Sequence, residues 1–228
     1  AAAPASPDRA LNVIFTGLLL TCAALKVAAR TPQGEADAEG EEAASAAGTM
    51  EKDSSLRLRY LPVFWLLKMA DWIQAPYFYE VYASKEVGGQ PLPEAAVARL
   101  FLTGFGTSAL LSAPLGKVVE AVGRKAGTLA FALFYALSAL STRATRLPML
   151  FAGRVAGGIG TELLSMAPEA WLVAEHRRGG HRPGLLPEIF GLAYQGDALV
   201  AILAGQLAEA VASRRGPTGP FTISQVFL

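Results

Sequence analysis

A chain of 228 residues with 52% hydrophobic and 17% charged residues, in which 20 bases face 19 acids, lacks the net charge of a nucleic-acid binder, and no nucleic-acid partner is expected. Its single cysteine, Cys22, lies in an apolar run, and His176 and His181 share one short hydrophilic stretch, so neither a disulfide framework nor a zinc site is available. No P-loop or nucleophile elbow occurs, and Gly157-Gly-Ile-Gly160 lacks the last glycine of a dinucleotide loop; no enzymatic activity, cofactor or metal is expected.

The first element is the apolar run Ala10 to Ala29, broken only by Asn12 and Lys26. Its short apolar centre suits a signal peptide, whereas its length and the basic end at Lys26 and Arg30 suit an anchor; the domain reading takes 1–30 as a transmembrane helix. Residues 31–56 mix Gly, Ala and Ser with Glu35, Asp37, Glu39, Glu41, Glu42, Glu51 and Asp53, and are read as a flexible acidic linker. The second span, Arg57 to Tyr82, carries Lys68 and Asp71 one turn apart, close enough to neutralise each other, followed by Gln74 and by Pro76, which favours a kink. Charges at this depth cost about 2.5–3.5 kcal/mol each on insertion scales, so they normally face a wet cavity.

The third span, Val97 to Leu115, shows Gly104, Ser108 and Ser112 at four-residue spacing, a stripe that lets another helix approach closely. The fourth, Ala126 to Thr142, has no charge. In the fifth, Met149 to Ala174, Arg154, Gly158, Thr161, Ser165 and Glu169 share one helical sector, with Glu162 beside them, and such a stripe must face protein or water. The sixth, Ile189 to Ala212, holds Gln195, Asp197, Gln206 and Glu209. A new apolar run begins after Pro220, and the chain is read as a fragment.

Between the third and fourth spans lies the charged island Gly116-Lys-Val-Val-Glu-Ala-Val-Gly-Arg-Lys125, read as a tight loop at the membrane surface. Gly116, Glu120, Gly123, Arg124 and Lys125 resemble the loop between the second and third helices of major facilitator superfamily transporters, with Glu120 where Asp is usual and Ala121 where Arg is usual. The resemblance implies glycines that allow a sharp turn and close helix approach. It also implies a cytoplasmic latch of charges, expected here to link Glu120, Arg124 and Lys125 to Glu169 or Glu175. With the island inside the cell, Lys and Arg are more numerous on the inner loops than on the outer ones.

Ala70-Asp-Trp-Ile-Gln-Ala-Pro-Tyr77, Gly153-Arg-Val-Ala-Gly-Gly158, Glu169-Ala-Trp171, Glu175-His176 and Ala208-Glu-Ala-Val-Ala-Ser213 together resemble the eukaryotic molybdate-anion transporters of the major facilitator superfamily, over roughly Tyr60 to Phe221. The fold class implied is an all-α multi-pass membrane bundle. Residues 57–228 would supply the first five core helices and the start of the sixth, with a carboxy-terminal half of the same protein as partner, and the lipid bilayer, in the plasma membrane, as surroundings. The implied substrate is molybdate or another small anion, moved by alternating access. A tetrahedral dianion needs fixed donors, and guanidinium suits oxyanions, so Arg154 is the first ligand candidate and Lys68 the second. Asp71, Gln74 and Glu162 complete the expected substrate-binding set, and Asp71 and Glu162 are candidate proton carriers. Arg154 paired permanently with a carboxylate such as Asp71 is the competing reading. A sugar or organic-solute porter and a non-transporting membrane scaffold are the alternative functions.

Overall fold

The computed structural model describes residues 41–228, with side chains from Met50 onward; the expected span at 10–29 and the first part of the linker lie outside the described residues. The described chain is helical apart from one small hairpin, as an all-α membrane bundle requires. Helix α1 (Glu41–Gln74) passes through a short 3-10 turn (Ala75–Tyr77) into α2 (Phe78–Ala83). Pro76 lacks a backbone N–H and stands where the winding changes, so the expected kink takes the form of a tightened turn. Strands β1 (Glu86–Val87) and β2 (Gln90–Pro91) pair antiparallel around Gly88 and Gly89, whose φ values of +64° and +78° supply the left-handed turn of a two-residue connection. Then come α3 (Glu94–Val122), α4 (Arg124–Ser141), α5 (Leu147–Gly179) and α6 (Leu185–Arg215). The short α7 (Gly219–Ser224) and a 3-10 turn (Gln225–Phe227) follow.

Two expectations about loops need correction. Residues 41–56 are helical rather than a linker, and Asp53 and Leu56 are buried. Leu56 packs with Tyr60, Leu172, Leu185 and Ile189, so a stretch too polar to fold alone is held by contacts distant in sequence. The island is not a loop either: α3 runs to Val122, α4 starts at Arg124, and Gly123 alone connects them at φ +105°, a region that suits glycine. Gly116 is helical, with open space where a side chain would be, so close helix approach does not occur there.

The close approach occurs instead on α5. A Cβ on Gly158 would lie 2.5 Å from the Gly104 carbonyl oxygen of α3, and one on Gly160 would lie 2.8 Å from the Tyr135 ring of α4. With no side chains in the way, α5 packs against both neighbours at backbone distance, the device expected where lipid removes the hydrophobic drive for helix association. On the outer faces the pattern is inverted: Leu102, Phe105, Leu110, Leu129, Leu133, Leu199 and Leu203 are all exposed. Such a surface is a liability in water and a requirement in hydrocarbon. By length and composition α3 and α6 qualify as membrane spans among the described helices. Helices α1 and α5 fall short because they carry Lys68 and Asp71, and Arg154 and Glu162, within their apolar stretches; α4 is only 18 residues long and starts with Arg124 and Lys125.

Candidate functional site

Arg154 stands near the start of α5, buried against α3. Its Nε donates to the Leu100 carbonyl at 3.3 Å, and its guanidinium carbon lies 4.8 Å from the centre of the Phe78 ring, 5.6 Å from Phe101 and 5.9 Å from Tyr82. Gly104 makes this possible, since a Cβ there would lie 2.2 Å from Nη2. Among the described residues Arg154 forms no ion pair; its charge is met by π faces and a backbone oxygen.

The expected pairing with Asp71 does not form, nor does the Lys68–Asp71 pair. Asp71 accepts a hydrogen bond from Tyr135 of α4. Lys68 turns to α6, where its Nζ is 4.0 Å from Asp197 Oδ2 while Trp72 Nε1 donates to Oδ1 of the same carboxylate at 2.8 Å. Residues three apart on a helix are neighbours only if nothing pulls them aside, and here different cross-helix partners take each of them. Gln74 is fully buried and donates from Nε2 to Ser224 Oγ at 2.8 Å, while its Oε1 has no partner. Glu162 accepts from Ser108 of α3. The five expected residues therefore divide among seams: Arg154 and Glu162 at α3–α5, Asp71 at α1–α4, Lys68 at α1–α6 and Gln74 against α7.

Sequence reasoning missed the α1–α6 seam. Trp65 donates to the Ala193 carbonyl at 3.0 Å and Tyr77, in the 3-10 turn after α1, to Glu209 at 2.5 Å, making with Trp72 and Asp197 a run of aromatic donors along α1 and that turn facing acceptors on α6. Asp197 and Glu209 were visible as charges inside an apolar run; their partners were not, because aromatic rings in such runs read as packing. Tyr135, which holds Asp71, gave no sequence signal beyond being a polar aromatic in an uncharged span.

At the opposite end of α5 the bundle gathers its charges. Arg124, Lys125, Glu175 and Arg178 line one cleft of about 510 Å³ beside Trp171. Glu175 is 3.7 Å from Arg59, and Glu169 accepts from Tyr194, so neither acid is bonded to the island's bases; Glu120 is exposed and forms no ion pair among the described residues. The same end holds a brace that the sequence did not suggest: buried Asp53 receives His181 Nδ1 at 2.8 Å and Arg182 Nε at 2.9 Å, and Glu188 binds Arg182 and, at 2.8 Å, Arg57. Burial pushes the Asp53 carboxyl up, but hydrogen bonds and charge from His181 and Arg182 outweigh it and hold the group below its ordinary value.

Helices packed through glycines, apolar side chains turned outward, charges kept at inter-helix seams and bases collected at one end are the marks of a polytopic membrane protein. The chain belongs to the major facilitator superfamily: a family model described as sugar transporters with 12 transmembrane segments matches residues 11–228. A Takifugu rubripes protein named molybdate-anion transporter is 30% identical over 216 residues, covering 92% of this chain and 42% of that protein. Proteins of the same name from Xenopus tropicalis and Danio rerio are 33% identical over 161 residues and 29% over 216, covering 68% and 93% of this chain. The chain spans 34% to 42% of the length of these relatives. No solved structure matches it. The resemblance holds at the level of family, which is one of membrane transporters.

Proposed function

We propose that this chain is the amino-terminal bundle of an oxyanion transporter working by alternating access, with molybdate or a similar tetrahedral anion as substrate and Arg154 as the residue that holds it. The observation that carries this reading is a buried guanidinium with no carboxylate partner among the described residues. A permanently paired structural arginine would have an acid beside it, and a scaffold would gain nothing from an arginine without one. The relatives' shared name supplies the anion.

In the proposed cycle a second bundle, from a carboxy-terminal half, completes the cavity, and rocking exposes Arg154 to each side in turn. Asp71, held by Tyr135, and Glu162, held by Ser108, are the proton-carrying candidates; Lys68 and Gln74 stay in the set as residues that rocking would uncover. Gly116, Glu120, Gly123, Arg124 and Lys125 form the inner gate with Glu169 and Glu175, closing on each other in a conformation other than this one, where the acids are bonded elsewhere. The membrane is taken to be the plasma membrane.

A sugar or organic-solute porter is the second reading, favoured by the family description and by the tryptophan donors of α1 and the Tyr77 donor in the turn after it. Uptake of labelled molybdate by the full-length protein, with sulfate and sugars as competitors, separates the two. Arg154→Lys keeps the charge but loses the planar fork of donors, and uptake should fall by about 10-fold or more, the scale of one charge-assisted hydrogen bond. Wild-type kinetics in that variant at equal surface abundance would remove Arg154 as the anion ligand, and inhibition by sugars without inhibition by sulfate would favour the porter.

A further inference from the structure

We propose that the cleft at the charged end of the bundle, between the start of α4 and the last turns of α5, binds the phosphate of an anionic phospholipid, with Arg124, Lys125 and Arg178 as its ligands. The inference goes beyond the transport reading and does not depend on which solute is carried.

The cleft is short of negative charge. Three bases line its volume of about 510 Å³ against one acid, Glu175, and that acid already lies 3.7 Å from Arg59. None of the three bases forms an ion pair among the described residues, and Arg124 Nε is buried without a hydrogen-bond partner. The backbone adds to the imbalance. Helix α4 opens with Arg124 and Lys125, has no acid in its first turn and has no side-chain cap. The first amides of a helix lack intrahelical acceptors and its amino-terminal end is positive, so two cations there oppose the dipole. An anion in the cleft would satisfy the amides and the bases together, and guanidinium pairs with phosphate through two parallel hydrogen bonds.

The neighbouring space identifies the anion as a lipid. A second cavity of about 360 Å³ shares Lys125 and Trp171 with the first and is otherwise walled mainly by Tyr60, Val63, Phe64 and Pro168. A charged recess opening beside an apolar slot, at the end of a membrane bundle, matches a headgroup with its acyl chain and exceeds what a free phosphate needs. Basic recesses between helices at the leaflet surface are where anionic headgroups collect.

The test uses the full-length protein, purified and reconstituted into phosphatidylcholine nanodiscs containing a minor fraction of brominated phosphatidylinositol bisphosphate. The quenching of Trp171 is read as the difference between wild type and Trp171→Phe. Saturable quenching is expected, stronger than with brominated phosphatidylcholine. Arg124→Gln and Arg178→Gln should each weaken it about fivefold, the contribution of one surface base, and Arg178→Lys should retain most of it. Melting temperatures in pure phosphatidylcholine verify that the variants are folded, and either Gln variant suffices if the other does not fold. Equal quenching by phosphatidylcholine, unchanged affinity in the folded variants, or displacement of the lipid by inorganic phosphate at constant ionic strength would each overturn the proposal, the last by showing a soluble-anion site.

Discussion

Arg154 and Asp53 are both buried charges, and the protein treats them in opposite ways. Asp53 is saturated by His181 and Arg182, whereas Arg154 is surrounded by rings and waits on one carbonyl. The difference predicts different responses to pH. Because the folded carboxyl of Asp53 titrates below its ordinary value of 3.8, its stabilising contribution is complete above that value and is lost as pH falls through the lower folded one. Melting curves of the purified protein against pH should therefore show a gap between wild type and Asp53→Asn that persists down through mildly acid pH and closes only in strong acid. A gap already closing at about pH 6, where an ordinary Asp is still ionised, would contradict the brace. The charged candidates were legible in the sequence because each interrupts an apolar run, as Arg154, Glu162, Lys68 and Asp71 do. Which partner each takes was not, since periodicity gives the face of a helix but not what stands opposite it.

Among the elements, α5 is the one on which the others depend, and its glycines distinguish contact from empty space. Gly158→Ala would place a methyl 2.5 Å from a backbone oxygen of α3, where no side chain can yield, and is expected to destabilise the bundle by about 1–3 kcal/mol. Gly205→Ala on α6 meets nothing within 4 Å and should be neutral or gain up to ~1 kcal/mol from helix propensity. Thermal unfolding of the two variants in detergent checks the contrast, and equal melting temperatures would mean that α3 and α5 are not in backbone contact. The apolar runs at 97–115, 126–142, 149–174 and 189–212 were readable, and each centres on one helix, whereas the run at 57–82 comprises the end of α1, a 3-10 turn and α2. Their ends were less so: charge at Lys117 to Val122 and at Glu175 to Arg178 looked like loop, yet helix continues through both because a polar helix end protruding from a bilayer is fully solvated.

At the scale of the whole bundle, contacts sort the chain into two ends. Arg57, Arg59, Arg124, Lys125, Arg178 and Arg182 meet at one, and the hairpin packs near Leu147, Leu150 and Phe221 at the other. Under the positive-inside rule the first end, which carries more Lys and Arg, is expected to face the cytoplasm. Cysteines introduced at Glu86 and Gly184 should accordingly label from opposite sides of intact cells, Glu86→Cys from outside. Labelling of both from outside would refute this orientation. The joint between α3 and α4 has a further consequence for this architecture. With Gly123 alone between the helices, that corner has no slack, and one inserted residue would either turn the whole of α4 by about 100° about its axis or break its first turn. The rotation would carry Tyr135 away from Asp71 and Gly127 away from Ala167 at once. The same insertion between Gly88 and Gly89, where a side chain at either glycine of the hairpin turn would meet nothing within 4 Å, would only lengthen a surface connection. Variation in chain length should thus be tolerated at the hairpin tip and forbidden at the corner between α3 and α4.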